Sequence, residues 1–365
     1  MKLSVIILNY NVQNFLELCL RSVTAAISNM DAEIIVVDNN SEDGSCDMVK
    51  RVFPNVKLIQ NKENYGFSKG NNIGVLQAKG EYLCILNPDT VVSEDTFLKL
   101  LEFSENKEKL GIVGCKLING RGEFLPESKR KIPYVNAAFK KLMGNTDDYY
   151  ANNIKEQEVS QVEVLVGAFM FVKKAVYNKI GGFDEDYFMY GEDIDISYKA
   201  LKQGYHNYYY GATTVLHFKG ESTLRNKNYA RRFYGAMQIF YKKHFKKNIL
   251  FDVFVWVGIR LVYIFRKQYI SKIKTVYKYI FISDSINKDL EQILDKEVIL
   301  KSELKNIEKE SEIIFDANVL SFKNIIGCME ANLLDASVTF KILPKNSKFI
   351  IGSDSTVNRG EVISF

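Results

Sequence analysis

Short apolar, β-branched runs alternate with amphipathic stretches through the first half of the chain. Residues 2–8 (KLSVIIL) read as a buried parallel strand. Leu16, Leu20, Val23 and Ile27 then fall at helical spacing, with Asn14 placed to cap the helix. A second strand is predicted from Glu33 to Val37, a third from Val56 to Gln60, and a fourth over YLCILNPDTVV, with Ser93 capping the helix after it. Residues Ile112 to Leu117 give a further strand. This alternation predicts a parallel sheet with crossover helices. Gly66, Gly70 and Gly74 recur four apart in NYGFSKGNNIGVLQAKG, a smooth helical stripe that admits a close neighbour. It is neither a dinucleotide fingerprint nor a P-loop.

The pattern then changes. Gly120, Gly122, Pro126, Pro133 and the basic run 129–131 predict a long, mobile connection over 119–160, of the kind that often forms lids or acceptor-binding segments. QVEVLVGAFMFVKK returns to strand, and HNYYYGATTVLH is a second β-rich run ending at His217. Between them, Gly181 to Gly204 crowds Asp184, Glu185, Asp186, Glu192, Asp193 and Asp195 among aromatics, against only Lys199 and Lys202. Carboxylates beside aromatics are costly to bury unless something uses them. The plain alternative is a solvated acidic loop entering a helix, with Asp193 or Asp195 near its N-terminus.

Charge divides the chain. Its net charge is +5, yet Arg225 to Lys278 carries fourteen Lys or Arg against one acid, Asp252, so the remainder is acidic. Within this arm Asn248 to Phe265 is apolar but contains Asp252 and Arg260, which predicts an in-plane amphipathic anchor drawn to an anionic membrane surface rather than a span. A nucleic-acid partner is not expected, since no recognised motif accompanies the basic residues. Residues 284–310 read as a charged helical linker or dimer helix carrying Leu290, Ile293, Ile299 and Leu304. From 311 to 365 strand, helix, strand and strand form a small α/β module with a Gly352-Ser353-Asp354-Ser355 turn, a region that also offers a route to a homo-oligomer. The divisions are thus 1–224, 225–283, 284–310 and 311–365. The five cysteines are scattered without a CxxC pair, which points to a reducing, cytoplasmic setting. The apolar part of MKLSVIILNYN is too short for a signal peptide.

Ligands of parallel sheets sit at the carboxyl ends of the strands, where Asn9, Asp38 and Asn40 fall. Asp38 there suits a base or ribose contact, or a plain helix cap. Pro88 stops the fourth strand and holds Asp89 where the strand runs out. One such carboxylate suffices to bind a divalent cation that carries substrate phosphates. His217, after its own strand end, is a candidate second ligand, although lone histidines are more often structural.

Taken in order, VIILNYN, VVDNNSEDGS, NYGFSKGNNIG, LNPDTVV, GAFMFVKK, GGFDEDYFMYGEDIDIS and HFKGEST resemble the inverting family 2 glycosyltransferases, above all their rhamnosyltransferase-like branch, over about residues 1–245. The resemblance implies a GT-A fold, a nucleotide-binding mixed α/β sheet flanked by helices, here with the basic helical arm and the small module appended. It implies a dTDP- or UDP-sugar donor, Mg or Mn, and transfer of a sugar, rhamnose among the candidates, to a lipid-linked saccharide at the inner face of the membrane. The donor would meet Asn9, Asp38, Asn40, Gly66, Lys69, Asn72, Asn87 and Asp89. The acceptor would meet Gly167, Glu192 and Asp195. Asp89 and His217 would hold the metal, and Asp193 would be the general base. Asn87 replaces the first acid of the family's DxD motif and shifts metal binding towards Asp89. That replacement also leaves open a non-catalytic nucleotide-sugar-binding or assembly subunit.

Overall fold

The computed structural model describes residues 1–134, 148–219, 227–245, 276–305, 307, 309–331, 338–355 and 359–365; within 227–245 the side chains of 227–231 and 234 are left aside. The predicted anchor at Asn248 to Phe265 lies outside these residues. Among the described residues no helix is long and apolar enough to cross a membrane.

β1 (Leu3–Asn9), β2 (Ala32–Asp38), β3 (Lys57–Gln60) and β4 (Tyr82–Leu86) are parallel, as their apolar runs predict. α1 (Gln13–Ala26), α2 (Ser45–Val52) and α3 (Gly66–Gln77) make the crossovers. Leu16, Leu20 and Met48 cover one face of the sheet, while Val75 of α3 covers the other. The glycine stripe is a packing device here. A β-carbon at Gly70 would lie 2.4 Å from Leu8, and one at Gly74 would lie 2.6 Å from Ile6.

Beyond β4 the sheet becomes mixed. β5 (Thr90–Val91), β6 (Leu110–Ile118), β7 (Val159–Val162), β8 (Phe169–Lys173) and β9 (His206–His217) complete the order β3-β2-β1-β4-β8-β6-β9-β5, with β7 also on β9. β4 ends before Pro88, as expected of a residue that cannot donate to a ladder, and the residues after the turn form the separate short strand β5. This strand pairs antiparallel with β9, Thr90 opposite His217. Neither expected cap holds. α1 starts at Gln13, whose N–H is met by Asp43 at 2.7 Å, and α4 (Thr96–Glu105) follows Asp95 rather than Ser93. The 119–160 connection is no free loop where it is described. Ser128, Lys129 and Arg130 are buried, and the Arg130 backbone pairs with Val164 in both directions at 3.0 Å.

The helices that follow are α5 (Lys174–Lys179), α6 (Glu192–Lys202) and α7 (Lys227–His244). A second sheet then takes the order β11-β10-β12-β13-β14-β15, from β10 (Lys278–Ile282), β11 (Val298–Lys301), β12 (Ser311–Asp316), β13 (Thr339–Leu343), β14 (Phe349–Gly352) and β15 (Glu361–Ser364). Its first four strands are parallel. This corrects the helical linker expected at 284–310, and it starts the module inside the arm expected at 225–283. Residues 284–310 hold a short helix, α8 (Lys288–Ile293), and the strand β11. Val298, Ile299 and Leu300 have a partner strand in β10, and pairing outweighs the helical preference of the charged residues around them.

The two sheets share one core, in which Phe15, Leu18 and Phe218 pack with Ile280, Phe315 and Ile325. A β-carbon at Gly120 would sit 2.0 Å from the Ser353 carbonyl, so only glycine permits this approach, and the predicted Gly352–Ser355 turn serves the contact. Lys116, with 2% of its side chain exposed, pairs with Glu330 of α9 (Phe322–Ala331) and with Glu156, each at 2.7 Å. Glu94 accepts the N–H groups of Phe322 (2.7 Å) and Lys323 (2.9 Å), capping α9 from the other half of the protein. Glu94→Ala is expected to cost about 1 kcal/mol, as the loss of a helix cap does. An unchanged denaturation midpoint would show that water replaces the cap.

Candidate active site

A cleft of about 240 Å3 opens between the ends of β1 and β4, the segment entering β8 and the start of α6. Asn87, Gly167, Glu192, Asp193 and His217 all line it. The β5–β9 pairing builds its floor. His217 Nε2 lies 3.4 Å from Asp89 Oδ1 and 3.5 Å from Asn87 Nδ2. The Asp89 backbone is held in place, its carbonyl accepting the Phe218 N–H at 3.0 Å. Asp89 and His217 are 2% and 6% exposed, and among the described residues Asp89 Oδ1 and His217 Nδ1 make no hydrogen bond, the 3.4 Å approach of His217 Nε2 being the contact Oδ1 has. A buried carboxylate oxygen without a donor is costly. His217 lines the cleft, whereas Asp89 lies behind it and is not part of the cleft wall. This donor set, one carboxylate and one imidazole at the cleft's edge, fits a divalent cation that takes its remaining ligands from phosphates and water. No cluster of three or more acidic, histidine or cysteine ligands occurs among the described residues.

The opposite wall is the acidic stretch. Tyr190 (φ 71°) and Gly191 (φ 80°) turn the chain through the left-handed region immediately before α6. Glu192 and Asp193 thereby enter the first turn of the helix, where the dipole favours anions. Asp193 Oδ2 meets Arg130 Nη2 at 2.5 Å and the Gly167 N–H at 3.3 Å, while Oδ1 accepts the Ile194 N–H at 2.8 Å. Arg130 also donates to the Leu165 carbonyl at 2.8 Å. Burial works against the Arg130 charge, but Asp193 and Tyr149 outweigh it and hold the guanidinium proton more tightly than usual. Glu192 behaves differently. Burial first, then the neighbouring Asp193 carboxylate, push its carboxyl well above the usual range, and Oε2 has no partner in the structure. It therefore keeps a proton where ordinary glutamates have lost theirs and can donate to a ligand oxygen.

Asp195 does not reach the cleft. Its oxygens face His244 (2.6 Å), Tyr187 (3.4 Å) and Lys199 (3.1 Å). Residues two apart on a helix point to nearly opposite sides, so Asp193 and Asp195 cannot share a ligand. Asp195 instead fastens α7 to the acidic stretch, alongside the pairing of Lys243 with Asp184 and Asp186.

The remaining expected residues divide. Gly66 lines the cleft. Asn9 and Asp38 end β1 and β2 side by side, Asn9 Nδ2 donating to Asp38 Oδ1 at 2.8 Å and the Ser41 N–H to Asp38 Oδ2 at 2.8 Å, and neither is part of the cleft wall. Asn40 is exposed with φ 63°. Lys69 is exposed with its ammonium 4.1 Å from the Tyr65 ring centre, and Asn72 spends its amide on Phe183, Tyr177 and Glu185. Neither lines the cleft. Asn39, Asn64, Arg130 and Phe233 are among the lining residues that the sequence does not mark. Asn39 adjoins the residues chosen and holds the Gly66 carbonyl at 3.0 Å. Arg130 stood in the basic run between two prolines, where only an aspartate to pair with it could have marked it.

Residues 4–181 match the family described as glycosyl transferase family 2. The chain is similar to the N-acetylglucosaminyl-diphospho-decaprenol L-rhamnosyltransferase of Mycobacterium tuberculosis, 26% identical over 242 residues that span 61% of this chain and 78% of that protein. It is similar to the rhamnosyltransferase WbbL of Escherichia coli K12, 27% identical over 161 residues, 42% of this chain and 61% of that protein. Among solved structures, the mannosyltransferase PcManGT of Pyrobaculum calidifontis aligns with a TM-score of 0.48 at 19% identity, covering 73% of this chain and 70% of that one.

Proposed function

We propose, for a chain that belongs to the family 2 glycosyltransferases and is rhamnosyltransferase-like, that it moves a sugar from a nucleotide diphosphate to a hydroxyl of a lipid-linked saccharide, with inversion at the anomeric carbon. The observation that carries this reading is the meeting of Asp193 with Asn87 and His217 in one cleft, His217 beside the buried carboxylate of Asp89. Asp193 takes the proton of the acceptor hydroxyl as its oxygen bonds to the anomeric carbon. The bond to the diphosphate breaks on the opposite face, and its electron pair leaves with the diphosphate. Arg130 and the Gly167 N–H hold the base at the cleft wall. In its protonated form, which burial and the Asp193 charge favour, Glu192 donates a hydrogen bond to a sugar or acceptor oxygen. Asp89 and His217 would hold a divalent cation, Mg or Mn, whose chemistry there is to offset charge on the leaving diphosphate. The names of the Mycobacterium and Escherichia relatives support rhamnose as the first sugar to test, and the Mycobacterium name supports a saccharide on a polyprenyl diphosphate as acceptor. The basic arm supports work at an anionic membrane face.

The test is donor turnover over a panel of dTDP-, UDP- and GDP-sugars, with and without Mg or Mn. Metal-dependent turnover of one donor is the expected result. Asn87, in the place of an acid, favours the second reading, a nucleotide-sugar-binding assembly subunit. Binding of a donor without turnover under either metal, with membrane extract as acceptor, would establish that second reading.

A further inference from the structure

The acidic stretch forms more than one wall. On its far side a groove of about 430 Å3 runs between residues 186–189 and α7, and Met189 lines both this groove and the cleft. The walls are apolar: Phe188, which is 41% exposed, with Met189, Ala236 and Ile239. Gly235 leaves its floor open, since a β-carbon there would meet nothing within 4 Å among the described residues. The groove has two charges. Asp186 is engaged by Lys243 at 2.6 Å. Arg232 stands at 5.2 Å over the Phe188 ring, and no carboxylate lies within ion-pair distance of it among the described residues. An exposed apolar trough with one unopposed cation, joined to a catalytic cleft, calls for an amphiphile with an anionic head.

We propose that this groove binds the non-reacting end of the acceptor: its diphosphate against Arg232 and the first part of its hydrocarbon chain against Phe188, Met189 and Ile239. This deepens the transferase reading and rests on it, because the saccharide then extends past Met189 to Asp193. Binding energy from this remote end would position the hydroxyl for the base.

The groove can be filled without touching the donor site. Gly235→Leu projects a side chain into open space and replaces a poor helix former with a good one, so the fold is expected to hold. Arg232→Gln removes the cation alone. The probe is N-acetylglucosaminyl diphosphate on a decyl chain, its binding followed by fluorescence competition for wild type and both variants. UDP or dTDP binding, whichever wild type shows, serves as the control. Each variant is expected to bind the probe about tenfold more weakly, a change of about 1.4 kcal/mol, with nucleotide binding unchanged. Equal affinity in all three proteins, or no probe binding by wild type, overturns the proposal. So does full displacement of the probe by an equal concentration of short-chain phosphatidylglycerol, which would make the groove a general lipid contact. A protein that bound the probe in this way but transferred no sugar would fail as an enzyme and keep the groove.

Discussion

Asp193→Asn is expected to lower sugar transfer by about 10²–10⁴-fold, the usual worth of a positioned general base, while donor binding stays near that of wild type. Asparagine keeps the shape of the side chain, and with its oxygen towards Arg130 and the Gly167 N–H it gives up, among its hydrogen bonds, only the acceptor of the Ile194 N–H. What it loses is the ability to take a proton. The substitution also leaves the Arg130 charge without its anion. Breaking a buried ion pair costs roughly 3–5 kcal/mol in full, and less here because 12% of the Asp193 side chain is exposed. Rates must therefore be compared below the melting temperature of the variant. Asp195→Asn is the control. It sits two residues away on the same helix and loses a buried partner of His244 and Lys199, so it is expected to melt earlier yet retain donor turnover. Full transfer by Asp193→Asn in a folded protein would remove Asp193 from the role of base.

Asp89→Asn is expected to have the next largest effect: a loss of about a hundredfold or more in turnover, together with loss of the response to added Mg or Mn. Several kcal/mol of charge stabilisation on the leaving diphosphate is at stake, and each 1.36 kcal/mol is about tenfold in rate. The fold has little reason to change, because the Phe218 N–H bonds the Asp89 backbone carbonyl and not its carboxylate. Metal binding can be read without turnover, from the water relaxation of a manganese titration with UDP present. Wild type should enhance relaxation at lower manganese than the variant. Identical titrations would place the cation elsewhere.

Much of this site could be read from residue order, and the parts that could not share a physical cause. The parallel strands β1, β2 and β4 are continuous apolar runs, which report burial on both faces directly. The stop at Pro88 likewise follows from its missing N–H. Contacts made by long-range pairing leave no local trace. The meeting of Asp89 and His217 depends on β5, two residues long, finding the end of β9. Their residue types made them candidate co-ligands, and the resemblance to a family assigned them, but nothing along the sequence showed that they meet. Arg130 reaches Asp193 because its backbone is stitched to Val164, across a segment whose prolines and glycines resembled a free loop. Asp195 was grouped with Asp193 because crowding along a sequence says nothing about direction around a helix. The strand at Val298–Lys301 was concealed by charged neighbours, since four partly buried residues carry too short a pattern to reveal their partner.

The shared core has a genetic consequence. Phe218 follows His217 directly, and its ring packs edge-on against Phe15 at 5.1 Å within the cluster that the second sheet covers. A premature stop codon after residue 275 would spare every active-site codon. It would nevertheless uncover Phe15, Ile118 and Phe218 and remove the Glu330 partner of buried Lys116. The β5–β9 pairing that brings Asp89 to His217 would lose its support from behind. Nonsense alleles in the C-terminal sheet should thus share a phenotype with alleles of Asp89 itself.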